Sequence, residues 1–301
     1  ITGQDLVEWQ FAVAAGEPLP AKQEELSISG HAFEARIYAE DPDNDFLPAT
    51  GTLNFLQPPE TSANVRVDTG VLQGDEVSVY YDPMIAKLIV WDENRSKALQ
   101  RLARALKEYR ISGITTNVDF LYNLASCEPF RDADLDTGFI SKHSEVIFHS
   151  RETDIEKELP LAALYLLLQQ QQQAQQRRKQ SNDPTSPWHS TSAWRLNEPQ
   201  LHRFTIQLHD RSYEVLAKQL GKYSARRYSI TVDNKTVLAQ GRLQDCELTA
   251  NLDGYMLTAS ITEHDGHYSL FTLDSALSFS LVTPDLGETD TDITAGGLTA
   301  P

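Results

Sequence analysis

The stretch Gly30–Pro42 concentrates side chains able to do chemistry: Glu34, Arg36, Tyr38, Glu40 and Asp41 follow one another within eight residues. From His31 to Ala39 the sequence alternates. Phe33, Ala35 and Ile37 therefore share one face of a strand, and Glu34, Arg36 and Tyr38 share the other. A guanidinium beside a carboxylate is a permanently charged donor fork held in a fixed direction. Such a fork can stabilise a developing oxyanion. It can equally be half of a structural ion pair on a strand, and spacing alone leaves both readings open. Lys87 interrupts the apolar run Met84–Trp91. It reads as a strand lysine that is paired or carries its stem along apolar surface, not as a Schiff-base former.

Other chemistries find little support. No glycine-rich phosphate loop and no Gly-x-Ser-x-Gly elbow occurs, and the eight histidines are scattered without metal-ligand spacing. Cys127 and Cys246 are the only cysteines, which excludes a disulfide framework or a cysteine zinc site and fits a reducing compartment. The formal net charge of −17 argues against nucleic acid or an anionic membrane as a partner. Leu159–Leu168 is the longest strongly apolar stretch and is too short to span a bilayer. The first residue is Ile1 and no cleavable signal follows, so the chain reads as an internal piece of something longer.

Two modules must position these residues. The first, residues 1–150, reads as α+β. Thr2 is the expected cap of a first helix whose stripe is Leu6, Val7, Trp9, Phe11, Ala12 and Ala15, with Gly16 as its stop. Strand-like pieces recur at Gly51–Leu56, Asn64–Val67 and Ser78–Tyr81, and Met84–Trp91 reads as a strand buried on most sides. Asn94–Arg110 carries an amphipathic stripe of Ala98, Leu99, Leu102, Ala105 and Leu106. A further helix near Thr116 carries Val118, Leu121 and Leu124.

The second module, residues 151–283, opens with a helix over Glu156–Lys179. It is apolar first and then glutamine-rich through Gln169–Gln176, either as ordered helix or as a solvated extension. Arg177, Arg178 and Lys179 complement the helix dipole at its end. Ser181–Asn197 is a linker holding Trp188 and Trp194. From Leu201 the apolar period becomes two, with Asp233-Asn234, Asp253-Gly254 and Asp265-Gly266 as hairpin signals. Seven or eight short strands without a helix predict a closed antiparallel barrel or small sandwich. Residues 284–301 form an acidic linker.

Ile1-Thr2-Gly3, Gly30–Pro42, Tyr81–Leu88 and Gly113–Asp119 resemble, in order and spacing, the C-terminal subdomain of biotin carboxylase. The resemblance implies an antiparallel sheet with helices over residues 1 to about 148. It implies that Arg36 lies against the ureido ring of biotin and stabilises the enolate-like oxyanion formed when the ring nitrogen loses its proton. It places Asp82 near biotin, where that residue can equally be a turn former. Arg66 falls near the family's homodimer interface, with a surface ion pair as the alternative. Thr137 falls in the Asp136–Ile140 stretch that closes over the nucleotide, and Thr137 and Gly138 stand where some relatives carry bulkier or imidazole side chains. The family's ATP-grasp domain, metal-binding carboxylates and bicarbonate-activating base precede the Ile1-Thr2-Gly3 match. MgATP and bicarbonate are therefore substrates of the whole enzyme, and this chain alone is expected to bind neither productively and to show no turnover.

The helix, Ser186-Pro187-Trp188 with Trp194-Arg195-Leu196-Asn197, and the strand-rich module resemble the inter-domain region of biotin-dependent acyl-CoA carboxylases. That region pairs a long helix with an antiparallel barrel and docks the carboxyltransferase β subunit. Leu161 and Tyr165, with Leu164 and Leu168, can be buried in the barrel or in that partner, and Trp188 and Trp194 are candidate anchors. Leu298–Pro301 resembles the approach to a biotinyl carrier domain, whose biotinylated lysine would lie beyond Pro301. The implied partners are the β subunit and the remaining domains of the same polypeptide. The implied acyl group is 3-methylcrotonyl, with geranyl and propionyl as alternatives. The implied location is the cytoplasm in a bacterium and the mitochondrial matrix in a eukaryote. The competing reading is a non-catalytic scaffold that uses the barrel only to bind a partner.

Overall fold

A computed structural model describes residues 1–148, 154–183, 201–208, 211–220, 227–273 and 275–282. The chain divides into two units, Ile1–Glu152 and Thr153–Pro301.

The first unit begins with α1 (Leu6–Ala14). Its cap is Asp5, not the expected Thr2: the Asp5 carboxylate accepts from the N–H groups of Val7 and Glu8, both at 3.0 Å. No α1 residue is fully buried; of its apolar stripe Trp9 and Ala12 are partly covered. There follow β1 (His31–Tyr38), β2 (Glu40–Asp41), β3 (Leu47–Pro48), β4 (Gly51–Thr52), β5 (Phe55–Gln57), β6 (Val65–Thr69), β7 (Glu76–Val77) and β8 (Met84–Asp92). Ser78–Tyr81 is not a strand. It is an exposed loop in which Val79, Tyr80 and Tyr81 all face water, and its apolar residues only imitate a strand pattern. After β8 come α2 (Arg95–Glu108), β9 (Arg110–Ser112), α3 (Val118–Ser126), α4 (Glu128–Arg131), α5 (Phe139–Lys142) and α6 (Ser144–Ile147).

The central sheet is antiparallel, in the order β1-β8-β6. Ala35 and Ile37 of β1 and Leu88 and Val90 of β8 are buried and share a core with α2. That helix starts at Asn94, whose side chain accepts from Lys97 N–H at 3.0 Å, and buries the five expected residues. In α3 the buried residues are Phe120 and Ala125, whereas Val118, Leu121 and Leu124 are only partly covered. Gly30 leads into β1 with φ +70°, and a Cβ there would lie 2.4 Å from the Asp92 carbonyl oxygen.

The second unit holds α7 (Ile155–Gln180) and the strands β10 (Leu201–Leu208), β11 (Arg211–Leu220), β12 (Arg227–Val232), β13 (Lys235–Gln244), β14 (Glu247–Leu252), β15 (Tyr255–His264), β16 (His267–Phe271) and β17 (Ala276–Leu281). The eight strands close in sequence order, β17 pairing back onto β10. The Asp233-Asn234, Asp253-Gly254 and Asp265-Gly266 turns have positive φ at both residues, the primed geometry that matches strand twist. Every residue of α7 from Glu158 to Leu168 is buried, on all sides of the helix, in one core with the inward residues of the barrel. Leu161 and Tyr165 belong to that core. The expectation that they anchor a partner is corrected, because their side chains are enclosed by their own barrel. The glutamine run is helical: Gln172 donates to the Leu243 carbonyl oxygen at 2.8 Å, and Gln169 and Gln171 donate to the Tyr165 and Tyr228 hydroxyls.

Candidate active site

Strand register assembles one charged face. Arg36 pairs with Lys87 across β1 and β8, and Lys87 pairs with Asp68 across β8 and β6. The neighbouring row runs Glu34, Ile89, Arg66. Directly paired residues share a face, so Glu34, Arg36, Tyr38, Lys87, Asp68 and Arg66 all stand on the side opposite the buried Ala35, Ile37, Leu88 and Val90.

Like charges directly opposite one another, as Arg36 and Lys87 are, cost stability in a ladder. Carboxylates flank the pair: Arg36 Nε lies 3.5 Å from Glu34 Oε1, and Lys87 Nζ lies 3.7 Å from Asp68 Oδ2. Asp68 also takes Arg66 Nε at 2.7 Å, and that hydrogen bond holds its carboxyl below the usual range. The Tyr38 side chain stands beside Arg36 on this face. The neighbouring Tyr38 first and Glu34 second hold the guanidinium proton more firmly still. The Arg36 side chain keeps 60% of its surface in water, so donors remain for a ligand. Arg66, expected as an interface residue or a surface ion pair, makes the ion pair.

Asp82 precedes β8 and its Oδ1 accepts from Met84 N–H at 2.9 Å, the bond of a turn former. Met84 pairs with Tyr38, so Asp82 lies toward the Tyr38 end of β1. Burial and then the Asp82 charge push the Glu40 carboxyl up. Thr137 is exposed on the loop between α4 and α5, beside the Asp136 carboxylate that accepts from Gly138 N–H at 2.8 Å. It is on none of the three strands. Trp188 and Trp194 lie outside the described residues. Among the described residues no group of three or more His, Cys, Asp or Glu could hold a metal, and no helix is long and apolar enough to cross a membrane.

Sequence reasoning passed over Asn117, which is 5% exposed and bonds the backbone of β1 at Arg36 and Tyr38. Its position ahead of a helix signals only a cap. Nothing in the sequence shows that the side chain turns toward a strand some eighty residues earlier.

Comparison with known proteins gives this face a context. Residues 34–142 match the family described as biotin carboxylase C-terminal domain. Residues 156–284 match methylcrotonyl-CoA carboxylase, alpha-subunit, BT domain. The chain therefore carries two domains of the biotin-dependent carboxylases, and all the charged residues of the face lie in the first. Within that class the similarity is to the methylcrotonoyl-CoA carboxylase α subunit. The mitochondrial α subunit of Dictyostelium discoideum is 44% identical over 83% of this chain and 36% of its own length. That of Mus musculus is 37% identical over 100% of this chain and 42% of its own length. The chain thus spans less than half the length of these relatives. A solved structure, the biotin carboxylase domain of Hydrogenobacter thermophilus 2-oxoglutarate carboxylase, aligns with 50% of this chain and 33% of its own, at 38% identity and a TM-score of 0.48.

Proposed function

We propose that this chain acts as part of the α subunit of a biotin-dependent acyl-CoA carboxylase, and that Arg36 holds the oxyanion of biotin during its carboxylation. The observation that carries this reading is the Arg36 guanidinium: flanked by Tyr38 and Glu34 yet largely in water, on a face backed by a packed core. Its fit to biotin can be tested on these residues. The ureido carbonyl is an acceptor that gains negative charge when the ring nitrogen is deprotonated, and a permanently charged fork suits that oxygen. Biotin, when bound, supplies the nitrogen that carries the carboxyl group. This chain's own residues orient that oxygen and compensate its charge.

In this reading Asp82 borders the biotin region, Thr137 lies toward the nucleotide and Arg66 lies toward a homodimer contact. MgATP and bicarbonate are used by the whole enzyme. The helix-plus-barrel domain docks a carboxyltransferase β subunit, with Trp188 and Trp194 as its candidate anchors and 3-methylcrotonyl-CoA as the acyl substrate. The matrix is the location in a eukaryote and the cytoplasm in a bacterium.

The test is Arg36→Ala in the full-length subunit, with bicarbonate-dependent carboxylation of free biotin as the readout. Removing one preorganised oxyanion donor costs about 10²–10³ in kcat. The thermal midpoint should stay within about 1 °C, because an exposed ion pair contributes little to stability. An unchanged turnover number removes Arg36 from the chemistry and favours the scaffold reading.

A further inference from the structure

Asn117 occupies the N-cap position of α3, where an asparagine ordinarily accepts a hydrogen bond from the first turn of its own helix. It makes no such bond. Its carboxamide is turned instead onto the backbone of β1: Oδ1 accepts from Tyr38 N–H at 3.0 Å, and Nδ2 donates to the Arg36 carbonyl oxygen at 3.1 Å. The Asn117 N–H adds a third bond, to the Tyr38 carbonyl oxygen at 3.1 Å. Side chain and backbone of one residue thus bond β1 as an added strand would.

The place matters. The β1–β8 register slips between Ile37 and Tyr38, so there the ladder alone fixes the backbone least well. The residues bonded by Asn117 are the same two whose side chains stand together on the charged face. A helix that forgoes a cap worth about 1 kcal/mol so that its cap residue can hold a strand points to a role beyond starting the helix.

We infer that Asn117 is a positioning residue for the proposed oxyanion fork, clamping the Arg36 and Tyr38 peptide units and so fixing the direction of the guanidinium. This rests on the role of Arg36 given above.

Two measurements test it. In this chain, Asn117→Ala should speed amide hydrogen exchange at Tyr38 by at least about tenfold, with Ala35 unchanged, because only the former N–H loses its acceptor. In the full-length subunit the same change should lower kcat for biotin carboxylation by about 10- to 100-fold without changing the KM for ATP, the penalty of a slightly misplaced group. Asn117→Asp keeps the acceptor and loses the donor, so it should fall between; it also serves if the alanine variant fails to fold. The combination with Arg36→Ala should be no slower than Arg36→Ala alone. Multiplicative losses, or unchanged Tyr38 exchange, overturn the inference and leave the reading of Arg36 intact. A full rate in Arg36→Ala alone overturns both.

Discussion

The three-stranded sheet of the first unit buries one face and leaves the other in water, whereas the eight strands of the second close around α7 and turn every second residue inward. The open sheet can display Arg36, Lys87 and Arg66 with a carboxylate at each end because that face needs no apolar contacts. The barrel has no such freedom, since its inward positions are filled by aliphatic and aromatic side chains packed on a helix buried all round. Substitutions should therefore alter chemistry in one unit and stability in the other.

The largest expected effect is at the barrel's centre. Leu164→Asp puts a charge where the native side chain is fully buried, at a cost above about 4 kcal/mol. Calorimetry of the chain should show the second unit's transition lost. A retained barrel transition would break the claim that α7 is its core. Gly241→Val is milder. A Cβ there would stand 2.8 Å from the Thr249 carbonyl oxygen and 3.0 Å from Leu164 Cδ2, so overpacking should cost about 1–3 kcal/mol, read as a lower urea midpoint.

The smallest effect is the one with a pH signature. Glu158, 3% exposed in the first turn of α7, has its carboxyl pushed up, by burial first. A carboxyl raised in the folded state contributes stability below the unfolded pKa and loses it as pH rises through the folded value. Glu158→Gln should thus be the more stable protein at pH 7, with the difference vanishing below about pH 4. A difference independent of pH would place its origin in packing and not in charge.

Much of this architecture was legible from residue order. The two-residue period, the Asp-Gly turns and the stripe of α2 each have a local cause. Glu34, Arg36 and Tyr38 could be put on one face from alternation alone. Lys87, Asp68 and Arg66 could not be added to it, because that needs the order of strands far apart in sequence. A stretch that is apolar all round says it is buried without saying against what, so Leu161 and Tyr165 could equally have faced a partner. The strand-like residue types at Ser78–Tyr81 misled for a related reason: they record side-chain preference and not whether another strand lies alongside.

The barrel closes through its first and last strands. Among the described residues, β10 pairs with β17 through Ile206 with Leu281 and Gln207 with Ser280, and the Val282 N–H donates to the Thr205 carbonyl oxygen at 2.9 Å. Because the ring closes, none of the eight strands is left as a free edge that could template pairing with another chain.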